Sequence, residues 1–240
     1  MGALTRFKRW IRMHTGRKAE VLAEDETRRR NALAKPFFDA MGDDTLRLDY
    51  PLDEGSLVLD LGGYRGQFAS DVYGRFRCRV LIFEPETEFC AFIRRRFKDN
   101  PSMEAFDFGL ADKDCEISLV VDGSSTSAFG GEGRRVTGTL KGVGAFFAEK
   151  GLSKVDLLKI NIEGGEYDLL DAMLDQDLAR KVRHLQIQFH DHVPEAAQRA
   201  ARIRERLRLT HELQWSFPWV WESWRLMDAI PEAGGILHGR

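Results

Sequence analysis

Three apolar runs, each ending in a polar turn, constrain this chain more than anything else in it. "SLVLDLG" leads from Ser56 into the glycine-rich turn Gly62-Gly63-Tyr64-Arg65-Gly66, "RVLIFEP" ends at Phe83-Glu84-Pro85, and "VDLLKINIEGGE" opens at Asn161, Glu163, Gly164 and Gly165. Each run suits a buried strand and each following stretch suits a helix. Repeated strand, turn and helix is the pattern of a parallel, doubly wound α/β sheet. In such sheets ligands bind where the turns gather, outside the carboxyl ends of the strands.

The spacing predicts strands at 57–61, 79–83, 103–107, 116–121, 155–161 and 184–190, with helices near 66–74, 86–98, 141–150, 166–178 and 194–209. The end of the chain, "THELQWSFPWVWESWRLM", alternates apolar positions around Phe217-Pro218 and reads as a closing antiparallel hairpin. Its tryptophans, Trp215, Trp219, Trp221 and Trp224, divide between core packing and a wall on which a sugar could stack. The segment "DGSSTSAFGGEGRRVTG" (122–138) is rich in Gly, Ser and Thr and reads as a loop over the site. The expected division is an N-terminal helical extension over 1–50 and a ligand-binding domain over 51–240. Within the extension, residues 3–14 form a basic amphipathic helix that suits either an anionic membrane surface or packing on its own domain. Charge-rich residues 17–30 form a solvated helix, and Pro36 with the turn-rich "MGDD" leads on to the first core strand.

The first turn selects among ligands. Glycine lets the backbone pass close to a bound molecule, and the helix behind it points free N–H groups at that molecule. A dinucleotide pyrophosphate site asks for G-x-G-x-x-G, whereas Asp60 to Gly66 reads D-x-G-x-x-x-G. This weakens the reading as a nicotinamide-dependent oxidoreductase and favours a cofactor without a pyrophosphate, with S-adenosylmethionine the leading candidate. Glu84 follows the turn by roughly the ~20 residues at which an acidic side chain takes ribose hydroxyls in Rossmann-like folds. The expected cofactor-binding residues lie on these turns: Asp60, Gly62, Gly63, Tyr64 and Gly66 on the first; Phe83, Glu84 and Pro85 on the second; Asn161 on the third.

Taken in order, "LDLGGYRGQFA", "LIFEP", "GSSTSAF", "LLKINIEGGE" and "LQIQFHDH" make the chain resemble the FkbM-type S-adenosylmethionine-dependent methyltransferases over roughly Ser56 to His190. The resemblance implies a class I, Rossmann-like methyltransferase fold: a mostly parallel seven-stranded sheet, helices on both faces and a C-terminal antiparallel hairpin. It also implies methylation of hydroxyls on sugars, surface glycans, glycolipids or natural products. Two positions depart from the family pattern, which usually has Asn where Tyr64 stands and Asp where Asn161 stands. Those departures sustain an alternative, a catalytically silent cofactor-binding subunit with a regulatory or scaffolding task.

Methyl transfer to a hydroxyl asks the protein to hold the acceptor close to the methyl carbon, exclude water and take a proton. In "HLQIQFHDH" the residues Leu185, Ile187 and Phe189 alternate with Gln186, Gln188 and His190, which places His190 where a strand ends at the active edge. His190 is therefore the expected base, acting as a neutral imidazole, with Asp191 to orient it; His192 and Glu163 are the rival proton acceptors. No metal is expected. Adjacent His190, Asp191 and His192 diverge along an extended chain, and the neutral amide of Asn161 is a weak ligand for a hard cation.

Composition narrows the partners. With 36 basic against 38 acidic residues in 240, the formal charge is −2, so the chain lacks the basic excess of a dedicated nucleic-acid binder. Cys78, Cys90 and Cys115 match neither a disulfide framework nor a C-x-x-C metal site, which suits a reducing cytoplasm. The expected partner is a small-molecule or glycan acceptor, with peripheral membrane contact through residues 3–14 as an added expectation.

Overall fold

The computed structural model describes residues 28–122, 125–127 and 134–228; the amphipathic segment 3–14 and most of the charged stretch 17–30 lie outside them. Strands β1 (Leu57–Leu61), β2 (Arg79–Phe83) and β3 (Met103–Phe106) come first in the chain. Strands β4 (Gly109–Ala111), β5 (Cys115–Asp122), β6 (Ser125–Ser127) and β7 (Arg134–Gly142) follow. Then come β8 (Val155–Ile160), β9 (Val182–Ile187), β10 (His211–Phe217) and β11 (Trp221–Leu226). Helix α1 covers 28–39; α2 is Gln67–Phe76, α3 Thr87–Arg96, α4 Val143–Glu149, α5 Glu166–Asp175 and α6 Ala196–Leu207.

Seven strands form the main sheet in the order β10-β11-β9-β8-β1-β2-β3. The pairings β2–β3, β1–β2, β1–β8 and β8–β9 are parallel, and β11 runs antiparallel to both β9 and β10. The parallel strands are apolar on both faces because both faces are covered. On one side Val58, Val80 and Ile82 pack with Ala69 and Val72 of α2 and Ile93 of α3. On the other, Leu59, Leu81 and Leu158 pack with Phe146 of α4, Leu170 of α5 and Ile203 of α6. This is the expected Rossmann-like methyltransferase architecture, down to the hairpin. Among the described residues no helix is long and apolar enough to cross a membrane.

The strand predicted at 116–121 is present but does not join this sheet. As β5 it is the long member of a second sheet, β4-β7-β5-β6, in which it pairs antiparallel with β7. The same pairing corrects the loop expected over 122–138: residues 125–127 and 134–138 are strand, while 123–124 and 128–133 lie outside the described residues. Glycine and serine mask the strand in composition, yet "RRVTGTLKG" finds a partner in β5, with Val136 opposite Leu119. Pairing across a chain reversal overrides local propensity here. Pro36 likewise falls within α1 rather than ending it, at the loss of one backbone bond. The adjacent Phe37 is buried edge-on against Phe217 of β10.

One level of the main sheet is polar. Asp60 of β1 stands opposite Lys159 of β8, Lys159 opposite Gln186 of β9, and Gln186 opposite Ser223 of β11. All four are buried. Residues just before β1 close the row: Arg47 Nε donates to Gln186 Oε1 (3.0 Å), Gln186 Nε2 donates to the hydroxyl of Tyr50 (3.1 Å), and that hydroxyl meets Ser223 Oγ at 3.0 Å. Arg47 also stacks on Trp221, 4.1 Å from the ring centre. Trp221 and Trp224 are core residues, while Trp215 and Trp219 are half-buried.

Candidate active site

The turn after β1 is built for close approach. Gly62 has φ 81°, and a Cβ there would stand 1.8 Å from the carbonyl oxygen of Asn161, so the ends of β1 and β8 meet only because that side chain is absent. Gly66 (φ 75°) caps the start of α2 in the left-handed conformation. Tyr64 is also left-handed, at φ 48°, where Asn would be more at ease than an aromatic residue. Its ring packs edge-on against Phe89 (4.7 Å between centroids), and its backbone N–H donates to Glu84 Oε2 at 2.7 Å.

Glu84, at the end of β2, is 4% exposed and accepts a second backbone bond from Glu86 N at 2.9 Å. Burial pushes its carboxyl up to about 7, against the downward pull of those two N–H groups and of Lys159. Beside it opens a cavity of about 490 Å³. The strand ends and turns of the first sheet contribute Gly62, Tyr64, Phe83, Glu84, Pro85 and Asn161, so six of the nine cofactor candidates line this cavity. The second sheet adds Ile117, Leu119 and Leu140 to the lining. Asn161 Oδ1 is buried with no hydrogen-bond partner.

Asp60, Gly63 and Gly66 are not among the lining residues. Asp60 is fully buried, and Lys159 Nζ reaches its Oδ1 at 2.9 Å, a charge contact whose angle leaves the carboxylate oxygens without a well-formed hydrogen bond. Lys159 also donates to the carbonyls of Leu61 (3.1 Å) and Gly62 (2.8 Å) and so ties the glycine turn to β8. Burial lowers the lysine's pKa, opposed by the Asp60 charge. Asp60 thus meets the turn through Lys159, and it is not among the residues that line the cavity.

The third turn brings Glu163 to the cavity and His190 behind it. His190 Nε2 lies 3.5 Å from Glu163 Oε1, and His190 Nδ1 lies 3.2 Å from Glu166 Oε1. Burial alone would depress the imidazole's pKa, but hydrogen bonds and charge from the two carboxylates raise it to about 9. Both carboxylates therefore favour the protonated ring, whereas the sequence reading took the imidazole as neutral. Burial would raise Glu163, yet His190, His192 and Lys159 outweigh it and hold the carboxyl below its usual range. Asp191 does not orient His190. Its two oxygens accept from Arg29 (2.9 Å) and Arg30 (3.0 Å) of α1.

Sequence reasoning placed Glu166 in the third polar turn without giving it a task, and gave no part to Lys159 or to the apolar residues of β5 and β7. An acidic residue in the first turn of a helix reads as ordinary dipole compensation, and strand register is needed to see that Lys159 faces Asp60.

Comparison with known proteins gives three kinds of likeness. The family described as "Methyltransferase FkbM domain" matches residues 60–214. The AMB antimetabolite synthetase AmbE of Pseudomonas aeruginosa is 28% identical over 187 residues, a match that takes in 58% of this chain and 9% of that protein. Among solved structures, an rRNA methylase from Streptococcus thermophilus aligns with 78% of this chain and 95% of its own at 14% identity and TM-score 0.46. A Streptococcus mutans protein solved in complex with SAH aligns with 78% and 97% at 9% identity and TM-score 0.49.

Proposed function

This chain belongs to the FkbM methyltransferase family, whose methyl donor is S-adenosylmethionine, and we propose that its acceptor is a hydroxyl of a sugar, a glycan or glycolipid precursor, or a natural product. The observation that carries this reading is the placement of two carboxylates of different character, Glu84 and Glu163, on the wall of one cavity. One suits ribose and the other suits an acceptor proton.

The residues present fit the donor. A carboxylate offers about four lone-pair positions. Tyr64 and Glu86 occupy two of those on Glu84, which leaves two for a ribose diol. The unpartnered Asn161 Oδ1 suits an N–H donor such as the α-ammonium of the cofactor. Ile117, Leu119, Leu140 and Pro85 form an apolar slot suited to adenine. The volume, about 490 Å³, lies within the ~300–1,000 Å³ usual for cofactor sites. When bound, S-adenosylmethionine supplies an electrophilic methyl group on sulfur. This chain's part would be to hold the acceptor hydroxyl at the cavity and to receive its proton on Glu163, while the S–C bond of the sulfonium breaks as the O–C bond forms and the neutral thioether leaves. A carboxylate held below its usual pKa suffices for this step, because the oxygen becomes strongly acidic as it is alkylated.

Glu84 makes cofactor affinity pH-dependent. The carboxylate is the form that accepts ribose hydroxyls, and with its pKa near 7 it protonates as pH falls through neutrality. The apparent Kd for S-adenosylmethionine should therefore rise about tenfold between pH 8 and pH 6. Calorimetry at a series of pH values checks this, and Glu84→Gln should flatten the dependence at a weaker overall affinity.

Acceptor class is tested by incubating the protein with methyl-labelled cofactor and fractionated extract of its source, then locating the label by mass spectrometry. Label on an oxygen of a small molecule or glycan supports the proposal. Label in RNA would move the acceptor to nucleic acid, and cofactor binding without any labelled product would favour a silent subunit.

A further inference from the structure

Glu166 never reaches the cavity, yet its carboxylate joins the two loops that carry the proton-handling groups. It is the first residue of α5 and is fully buried. Its Oε2 accepts the backbone N–H of Gly164 at 2.8 Å, within the turn that carries Glu163. Its Oε1 accepts the backbone N–H of His190 at 2.9 Å and meets the ring Nδ1 of His190 at 3.2 Å. The loop after β9 is held a second time by the Tyr167 hydroxyl, which donates to the carbonyl of His190 at 2.8 Å. Beyond the ring stands Glu163, left-handed at φ 51°, with its carboxylate 3.5 Å from Nε2.

We propose that Glu166 is a positioning residue for methyl transfer: by gripping His190 and the Glu163 turn together it keeps the imidazole doubly protonated, so that Glu163 rather than His190 receives the acceptor proton. The proposal rests on the methyl-transfer reading above. A neutral imidazole has one N–H and can donate to one of the two carboxylates; only the imidazolium donates to both. Without that cation, Glu163 and Glu166 would face each other across the ring as like charges.

The charged and titratable groups around the ring are these. His192 stacks obliquely with its ring centre 5.5 Å away. Asp191 is bound by Arg29 and Arg30 of α1. Glu163 comes from the β8–α5 connection and Glu166 from the first position of α5. The two carboxylates dominate, in keeping with a ring pKa raised to about 9.

The test is the ring titration of His190 by NMR in the full chain, assigned with His190→Gln, and compared between wild type and Glu166→Gln. The amide retains an acceptor but removes the charge. The wild-type ring should titrate well above ~6.5, and Glu166→Gln should lower its midpoint by about one unit or more. The variant's turnover should then acquire a pH dependence between 6 and 8 that the wild type lacks. Acceptor KM and cofactor Kd should change little, and Glu166→Asp should restore part of the wild-type profile. A wild-type midpoint near 6.5 would overturn the proposal, as would a folded Glu166→Gln protein whose ring titrates unchanged. Should Glu166→Gln fail to fold, the wild-type midpoint alone decides. Ring titration needs no acceptor, so a failure of the methyl-transfer reading would show separately, as absent labelling with the His190 shift intact.

Discussion

Glu163→Ala should lower methyl transfer by about 10²–10⁴-fold while cofactor Kd stays nearly unchanged, because the variant removes the proton acceptor and leaves the Glu84 side of the cavity intact. Wild-type turnover at saturating cofactor and acceptor should be flat between pH 6 and 8. Glu163 is held below the usual carboxylate range and His190 is raised to about 9, so neither titrates in that window. The signs for stability follow from the same shifts. The raised His190 contributes stability that is complete below ~6.5 and is lost as pH rises through about 9. The depressed Glu163 contributes stability present above its unfolded pKa and lost as pH falls through its folded one. Steady-state rates and a pH profile check the prediction. A turnover loss below tenfold in folded Glu163→Ala would remove Glu163 from proton transfer, and an inflection near 6.5 that disappears in His190→Gln would return the base to a neutral His190.

Lys159→Met should reduce unfolding free energy by about 3–5 kcal/mol, the usual cost of breaking a buried pair by removing one partner. The variant leaves the fully buried Asp60 carboxylate without a counter-charge and frees the carbonyls of Leu61 and Gly62. Removing both charges with Lys159→Met and Asp60→Asn together should recover much of the loss, since the uncompensated ion is then gone. Urea titration with an unchanged m-value separates this outcome from a change in the unfolded state. A single-variant loss below ~1 kcal/mol would mean that the pair contributes little, at odds with its burial.

The fold was legible where the chain obeys local rules. Buried runs ending at Gly62, Glu84 and Asn161 marked three parallel strands, and the alternation around Phe217-Pro218 marked the hairpin. It was not legible where pairing decides. The segment containing Ser125–Ser127 looks like a loop in composition and becomes strand only against β5. The places of Glu84, Asn161 and Glu163 at the cavity could be read because strand ends and turns announce themselves. The contact between His190 and Glu166 could not, because Glu166 reaches back from the next helix and such a contact has no spacing signature. Asp191 misled for the opposite reason: adjacency in sequence suggested an orienting carboxylate, but its arginine partners lie 161 and 162 residues away.

The central claim, that the cavity beside Glu84 is the cofactor site, is tested most directly by calorimetric titration of S-adenosylmethionine into wild type and Glu84→Ala at pH 8. The account predicts saturable one-site binding to the wild type. It also predicts a loss of about 1.5–3 kcal/mol in the variant, a Kd weaker by roughly ten- to a hundredfold, as a charge-assisted bond to ribose is removed. Equal affinity in a well-folded Glu84→Ala protein, or no binding of S-adenosylmethionine to the wild type, would contradict it.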